Sequence, residues 1–173
     1  EFQLKGMGVA LVTPFNEDKS IDTYALANLI DYIIAGGADF LVVMGTTAET
    51  PTFSKEEKDL VRYFVRTHVN GRVPLVIGIG GNSTENVCRE LRETDLTGYS
   101  AVLSVVPYYN KPRQEGIYLH YKAIAEASPL PVILYNVPGR TGVNMDAETT
   151  LRLAEVDNII GVKEASGNFA QIE

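Results

Sequence analysis

The residues that could do chemistry stand where short apolar runs end. Lys163 follows Ile159-Ile160-Gly161-Val162, Tyr135 follows Val132-Ile133-Leu134, and Thr46-Thr47 lie just past the run from Phe40 to Met44. Tyr108 and Tyr109 come just after the run from Ala101 to Val106, and Thr13 ends a first run that opens at Gly8. A lysine behind a buried strand must pair, reach solvent or lose its proton. Desolvation favours the neutral amine, whose lone pair can attack a carbonyl to form a Schiff base. Position alone fits equally a strand-end lysine bonded to Glu164 or extended into water.

Tyr135 stands one apolar run away from Lys163. A phenol there can carry a proton to and from a bound carbonyl, although its high pKa makes it a poor base alone. A hydroxyl relay through Thr46 and a second phenol eases that difficulty. The plain alternatives are a core tyrosine with a satisfied hydroxyl, and turn chemistry for Thr46-Thr47. Arg140 lies in the turn Pro138-Gly139-Arg140-Thr141, just past the Tyr135 run. A fixed guanidinium suits a substrate carboxylate through paired hydrogen bonds; a surface salt bridge is the other use of it. Asn82, in Asn82-Ser83-Thr84, is placed to shape a loop.

Several function classes are excluded by composition. Fifteen Lys+Arg against 22 Asp+Glu give a net charge of -7, the wrong sign for a phosphate-backbone binder or an anionic membrane surface. One cysteine, Cys88, allows no intrachain disulfide and reads as a buried structural thiol. The two histidines, His68 and His120, lack ligand spacing, so no metal site is expected. No apolar run reaches membrane-spanning length and no leader is visible, so a cytoplasmic location is expected.

The elements that must hold these residues alternate two periods. Apolar runs at 8–13, 40–44, 73–77, 101–106, 131–134 and 159–162 read as strands. Between them lie helical patterns, beginning with Leu26, Leu29, Ile30, Ile33 and Ile34 behind Asp22 and stopping at Gly36-Gly37. Ser54-Lys55-Glu56-Glu57 is a capping box, with Leu60, Val61, Phe64 and Val65 as the stripe behind it. Further helices are predicted from Thr84, from Glu115 to Glu126 and from Asp146. Strands that are apolar throughout, separated by amphipathic helices, predict a parallel sheet covered by helices. An open doubly wound sheet and a closed (β/α)8 TIM barrel both fit, and the spacing of about 30 residues per unit without a dinucleotide fingerprint favours the barrel. In a parallel barrel the strand C-terminal ends share one face, where active sites are built.

An eight-fold barrel typically needs ~250 residues, so 173 supply about six of its eight βα units. The start at Glu1-Phe2 and the helix-like close from Phe169 to Glu173 suggest cut ends. One domain over 1–173 is expected, with strands seven and eight belonging to a remainder and strand six left as an exposed edge.

Taken together, five blocks resemble the dihydrodipicolinate synthase family of pyruvate-dependent class I aldolases. They are Thr13-Pro14-Phe15, Gly45-Thr46-Thr47-Ala48-Glu49, Pro107-Tyr108-Tyr109-Asn110-Lys111-Pro112, Tyr135-Asn136-Val137-Pro138-Gly139-Arg140-Thr141 and Gly161-Val162-Lys163-Glu164, in the family's order. The resemblance implies that Lys163 forms a Schiff base with pyruvate and that Tyr135, Thr46 and Tyr109 move protons. It further implies that Thr47 holds the pyruvate carboxylate and Arg140 that of aspartate semialdehyde. No cofactor is implied. In the family the tyrosine matching Tyr109 enters the neighbouring subunit's site, implying a homo-oligomer, a dimer of dimers.

Ala48 stands where the family usually has glycine, so a turn needing positive φ there would have to adjust. Asn82 and Tyr108 match an effector site for lysine. The family's acidic position there is Asn86, and the histidines of some members are Lys55 and Lys58. Fewer carboxylates and more cations predict weak lysine feedback. Rival readings are N-acetylneuraminate lyase or a sugar-acid aldolase of the same family, a non-catalytic barrel scaffold, and a metal- or phosphate-dependent barrel enzyme.

Overall fold

The computed structural model describes residues 4–173, so the Glu1-Phe2 start lies outside it. The chain divides into two units. One takes the chain to Gly78 together with Thr97–Ser100, and the other takes Ile79–Leu96 together with Ala101–Glu173.

In the first unit β1 (Gly8–Ala10), β2 (Phe40–Val43) and β3 (Leu75–Gly78) run parallel in chain order. Helix α1 (Thr23–Ala35) joins β1 to β2, and α2 (Lys55–Val69) lies between β2 and β3. Asp22 starts α1 by accepting a hydrogen bond from the Ala25 amide at 2.8 Å, and Gly37 follows the helix at φ 93°. Leu26 and Ile30 are its fully buried residues. The capping box on α2 forms as expected: the Ser54 amide donates to Glu57 at 2.8 Å, and the Glu57 amide donates to the Ser54 hydroxyl at 3.1 Å.

Two differences from the sequence pattern have plain causes. On α2 the buried stripe is Val61, Val65 and Val69, four residues apart, so Leu60 turns to solvent. The first strand stops at Ala10 rather than Thr13: after Leu11 donates to the Val42 carbonyl, Thr13 turns its hydroxyl to the Ala48 carbonyl. The Thr97–Ser100 segment joins this unit through hydrogen bonds. The Tyr99 hydroxyl donates to the Arg62 carbonyl at 2.9 Å and the Ser100 amide to that of Leu75 at 2.8 Å.

In the second unit β4 (Ala101–Val105), β5 (Val132–Asn136) and β6 (Ile159–Glu164) are likewise parallel and in order. Helices α3 (Thr84–Glu93) and α4 (Gln114–Ala127) pack together, and a one-turn helix α5 (Pro138–Thr141) and α6 (Ala147–Ala154) follow β5. A last turn, α7 (Phe169–Ile172), follows β6. Leu91, Ile117, Tyr121, Ile124, Leu134 and Leu153 form its core, each aliphatic side chain worth about 1.5–3 kcal/mol on burial. Cys88 is buried in α3, in line with its reading as a structural thiol. His120 faces α3, accepting from or donating to the Thr84 hydroxyl at 2.8 Å; burial pulls its pKa down to about 4, so it stays neutral and structural.

β5 and β6 run further than the apolar runs, so Tyr135 and Lys163 lie inside strands and not beyond them. β6 is not the buried strand its sequence predicts: Ile160 is 51% and Val162 41% exposed, which agrees with the expected open edge. Among the described residues no helix is long and apolar enough to cross a membrane.

Candidate active site

The site grows out of the β5–β6 register. Tyr135 pairs with Lys163 and Asn136 with Glu164, so Tyr135 and Lys163 share one face of the sheet while Asn136 and Glu164 share the other. Lys163 Nζ stands 4.4 Å from the centroid of the Tyr135 ring. It makes no ion pair among the described residues, and desolvation lowers its pKa. The ring face attracts an ammonium by about 0.5–1 kcal/mol at an open site, which tempers that shift. Lys163 is exposed in this chain, so the shift comes from the protein around its amine and not from full burial.

Glu164 is not the partner of Lys163. Its carboxylate accepts from Asn136 Nδ2 at 3.0 and 3.1 Å, from the Ser166 amide at 3.0 Å and from Gln171 Nε2 at 3.1 Å. Desolvation pushes its pKa up, but those hydrogen bonds outweigh it and leave the carboxyl below its ordinary value. Lys163 is therefore left with a lone amine over an aromatic face. Tyr135 itself is buried, and its amide meets the Tyr121 hydroxyl at 3.5 Å, which in turn donates to the Ser104 carbonyl at 2.8 Å.

Arg140 sits on α5, exposed and without an ion pair among the described residues. Its turn is closed by Gly142 at φ 76° and by the Thr141 hydroxyl donating to the Val143 carbonyl at 2.8 Å. The Tyr109 amide donates to the Thr141 carbonyl at 3.2 Å, which ties the Tyr109 loop to the Arg140 turn. Tyr109 is held at φ 74° with 85% of its surface exposed. A bulky residue in the left-handed region costs of order 1–2 kcal/mol, and an exposed side chain repays none of that by packing. Asn82 Nδ2 donates to the Tyr108 carbonyl at 3.2 Å, so these two residues are neighbours. Nearby, Asn86 accepts from Arg89 at 2.8 Å.

In the first unit Thr46–Ala48 form a 3-10 turn directly after β2. The turn is pinned by the Thr13 hydroxyl donating to the Ala48 carbonyl at 2.9 Å and the Thr50 hydroxyl donating to that of Gly45 at 3.0 Å. The Thr46 and Thr47 side chains are exposed and unbonded among the described residues, open to a ligand. The left-handed residue of this turn is Glu49 at φ 61°, not Ala48. Alanine at 48 is buried and unstrained, so the turn needs no adjustment there.

Reasoning from the sequence gives Asn136 no role of its own. A fully buried amide beside Tyr135 joins three segments, β5, the Asn144-Met145 loop and the end of β6, and the signal for it is a polar residue closing an otherwise apolar strand.

The Dihydrodipicolinate synthetase family matches residues 3–173 of this chain. A 4-hydroxy-tetrahydrodipicolinate synthase of Parabacteroides distasonis is 62% identical over 174 residues, covering 100% of this chain and 59% of its own length. One from Flavobacterium psychrophilum is 60% identical over 167 residues, 96% of this chain and 57% of that protein. Among solved structures, a chloride-inhibited dihydrodipicolinate synthase from Acinetobacter baumannii complexed with pyruvate is 45% identical. It matches 98% of this chain and 58% of its own, with a TM-score of 0.94. The chain thus spans just under three fifths of the length of these relatives. Its fold class is that of the (β/α)8 barrels, of which it carries six βα units. The chain belongs to the dihydrodipicolinate synthetase family.

Proposed function

We propose that this chain is the Schiff-base-forming part of an enzyme that condenses pyruvate with L-aspartate 4-semialdehyde to 4-hydroxy-tetrahydrodipicolinate. The observation that carries the proposal is the unpaired, partly desolvated Lys163 amine over the Tyr135 ring. The neutral amine adds to the ketone carbon of pyruvate, and the carbinolamine loses water to an imine. Loss of a methyl proton gives the enamine, whose carbon attacks the aldehyde while the aldehyde oxygen takes up a proton. The amino group of the second substrate then attacks the imine carbon, closing the ring and releasing Lys163. Every step moves a proton, and Tyr135 is the carrier, with Thr46 and Tyr109 completing a relay.

In this proposal Thr47 holds the pyruvate carboxylate and Arg140 the carboxylate of the aldehyde. Pyruvate as ligand is supported by the Acinetobacter baumannii relative, whose structure is a complex with pyruvate. The whole protein works as a homo-oligomer, a dimer of dimers in the cytoplasm, with Tyr109 entering the neighbouring subunit's site. Its support is the outward phenol of Tyr109, held at a left-handed φ and largely exposed among the described residues. Residues 1–173 belong to one catalytic domain in this proposal.

The test is a coupled assay of the full-length protein with pyruvate and a panel of aldehydes. Aspartate semialdehyde is consumed with the highest kcat/KM; a preference for N-acetylmannosamine or a sugar-acid aldehyde overturns the substrate assignment. Arg140→Ala raises the KM for aspartate semialdehyde about 10- to 100-fold, the loss of one charge-assisted pair of about 1.5–3 kcal/mol. Pyruvate capture on Lys163 stays at the parent rate; an equal loss in both would place Arg140 elsewhere.

L-Lysine inhibits weakly. A relative from Cyanidioschyzon merolae was solved with lysine bound. Here Asn86 stands at the acidic position, its amide oxygen already taken by Arg89. Steady-state inhibition measurements check this, and a low-micromolar constant contradicts it.

A further inference from the structure

Tyr135, Arg140 and Lys163 sit on three different segments of the second unit, and one side chain reaches all three. Asn136 is fully buried, on the face of β5 opposite Tyr135. Its Oδ1 accepts from the Met145 amide at 2.9 Å. Its Nδ2 lies 2.8 Å from Asn144 Oδ1, 3.0 and 3.1 Å from the two Glu164 oxygens and 3.2 Å from the Met145 carbonyl. With two hydrogens to give, the amide serves the loop and Glu164 at once.

The chain leaves β5 at Val137, carries Arg140 around α5, and returns to Asn136 at Asn144-Met145, so one amide closes the loop at its base. Glu164 follows Lys163 directly, and its carboxylate is drawn to β5 by the same amide. Gln171 braces the arrangement from α7, donating to Glu164 at 3.1 Å and accepting from Asn144 Nδ2 at 2.7 Å. Among the described residues, Glu164 is the one ionisable group hydrogen-bonded to the Asn136 side chain.

We infer that Asn136 is a positioning residue: its buried amide fixes the end of β6 and the Arg140 loop against β5, and so sets Lys163 over Tyr135. The inference rests on the aldolase reading of Lys163 for its catalytic meaning. Asn136 is sealed from solvent on the face of β5 opposite Tyr135, so it acts through its neighbours and not on the reacting atoms. A buried asparagine that only stabilised the fold would give a general loss with no dependence on the charge beside Glu164.

Asn136→Asp separates the two roles. The retained Oδ1 still accepts from the Met145 amide, but the oxygen that replaces Nδ2 now faces the Glu164 carboxylate at about 3 Å, where two carboxylates do not both ionise readily. At high pH they repel and the end of β6 moves; at lower pH a shared proton restores the bond. The experiment follows capture of pyruvate on Lys163 with cyanoborohydride from about pH 5.5 to 8.5, alongside hydrogen exchange of the Met145 and Ser166 amides. We expect capture in Asn136→Asp to fall at least about 10-fold below the parent at pH 8 and to come within about 3-fold at pH 5.5, as the carboxyl pair takes up its proton. Ser166 exchanges faster at pH 8 while Met145 stays protected; in Asn136→Leu both exchange faster. A variant-to-parent ratio that does not change with pH, or unchanged exchange at Ser166, overturns the inference. Absence of capture in the parent defeats the aldolase reading alone, and the exchange pattern still decides whether Asn136 holds β6 and the loop.

Discussion

Lys163→Ala captures no pyruvate under borohydride, and its condensation activity falls by at least about 10⁴-fold. A covalent nucleophile supplies the imine that makes the methyl carbon acidic, and without it only binding and orientation remain. The effect is specific to the amine. Lys163→Arg keeps the positive charge above the Tyr135 ring, yet a guanidinium does not lose its proton and forms no imine. Both variants should fold, because Lys163 is exposed and makes no ion pair among the described residues. Mass spectrometry of the reduced protein and circular dichroism check the two halves of this expectation. Condensation by the Lys163→Arg variant within about 10-fold of the parent would mean that charge, and not covalent chemistry, is what position 163 supplies.

Tyr135→Phe lowers kcat by about 10²- to 10⁴-fold, the usual worth of a positioned proton carrier. Phenylalanine fills the same buried space, so the ring under Lys163 stays and the packing is retained. Pyruvate capture slows without disappearing, since the amine is intact and water can carry protons poorly in its place. The KM for pyruvate changes little. Stopped-flow measurement of imine formation against steady-state kcat separates these quantities. A loss confined to KM would make Tyr135 a binding residue and move the proton work elsewhere.

Much of this architecture is legible in the sequence, for a local reason. Asp22, Ser54 and Asp146 cap helices through bonds made within three residues of themselves, so their meaning is contained in short sequence windows. The alternation of apolar runs with amphipathic stretches likewise needs no knowledge of the partner strand. Strand-end position points to Lys163 and Tyr135, although both lie one step inside the ladder. What escapes depends on residues distant in sequence. Asn136 is informative only once Met145 and Glu164 are beside it, at separations of 9 and 28 residues. Thr13 likewise shows its use, a hydroxyl bonded to the Ala48 carbonyl, only once a residue 35 positions away is beside it.

The proposed reaction depends on one covalent bond, the imine between Lys163 and pyruvate. Incubating the protein with pyruvate and borohydride, followed by peptide mapping, asks for it directly. The predicted result is a single reduced pyruvate adduct on Lys163, in this chain and in the full-length protein. An adduct on a different lysine, or none on the folded full-length protein, contradicts the account.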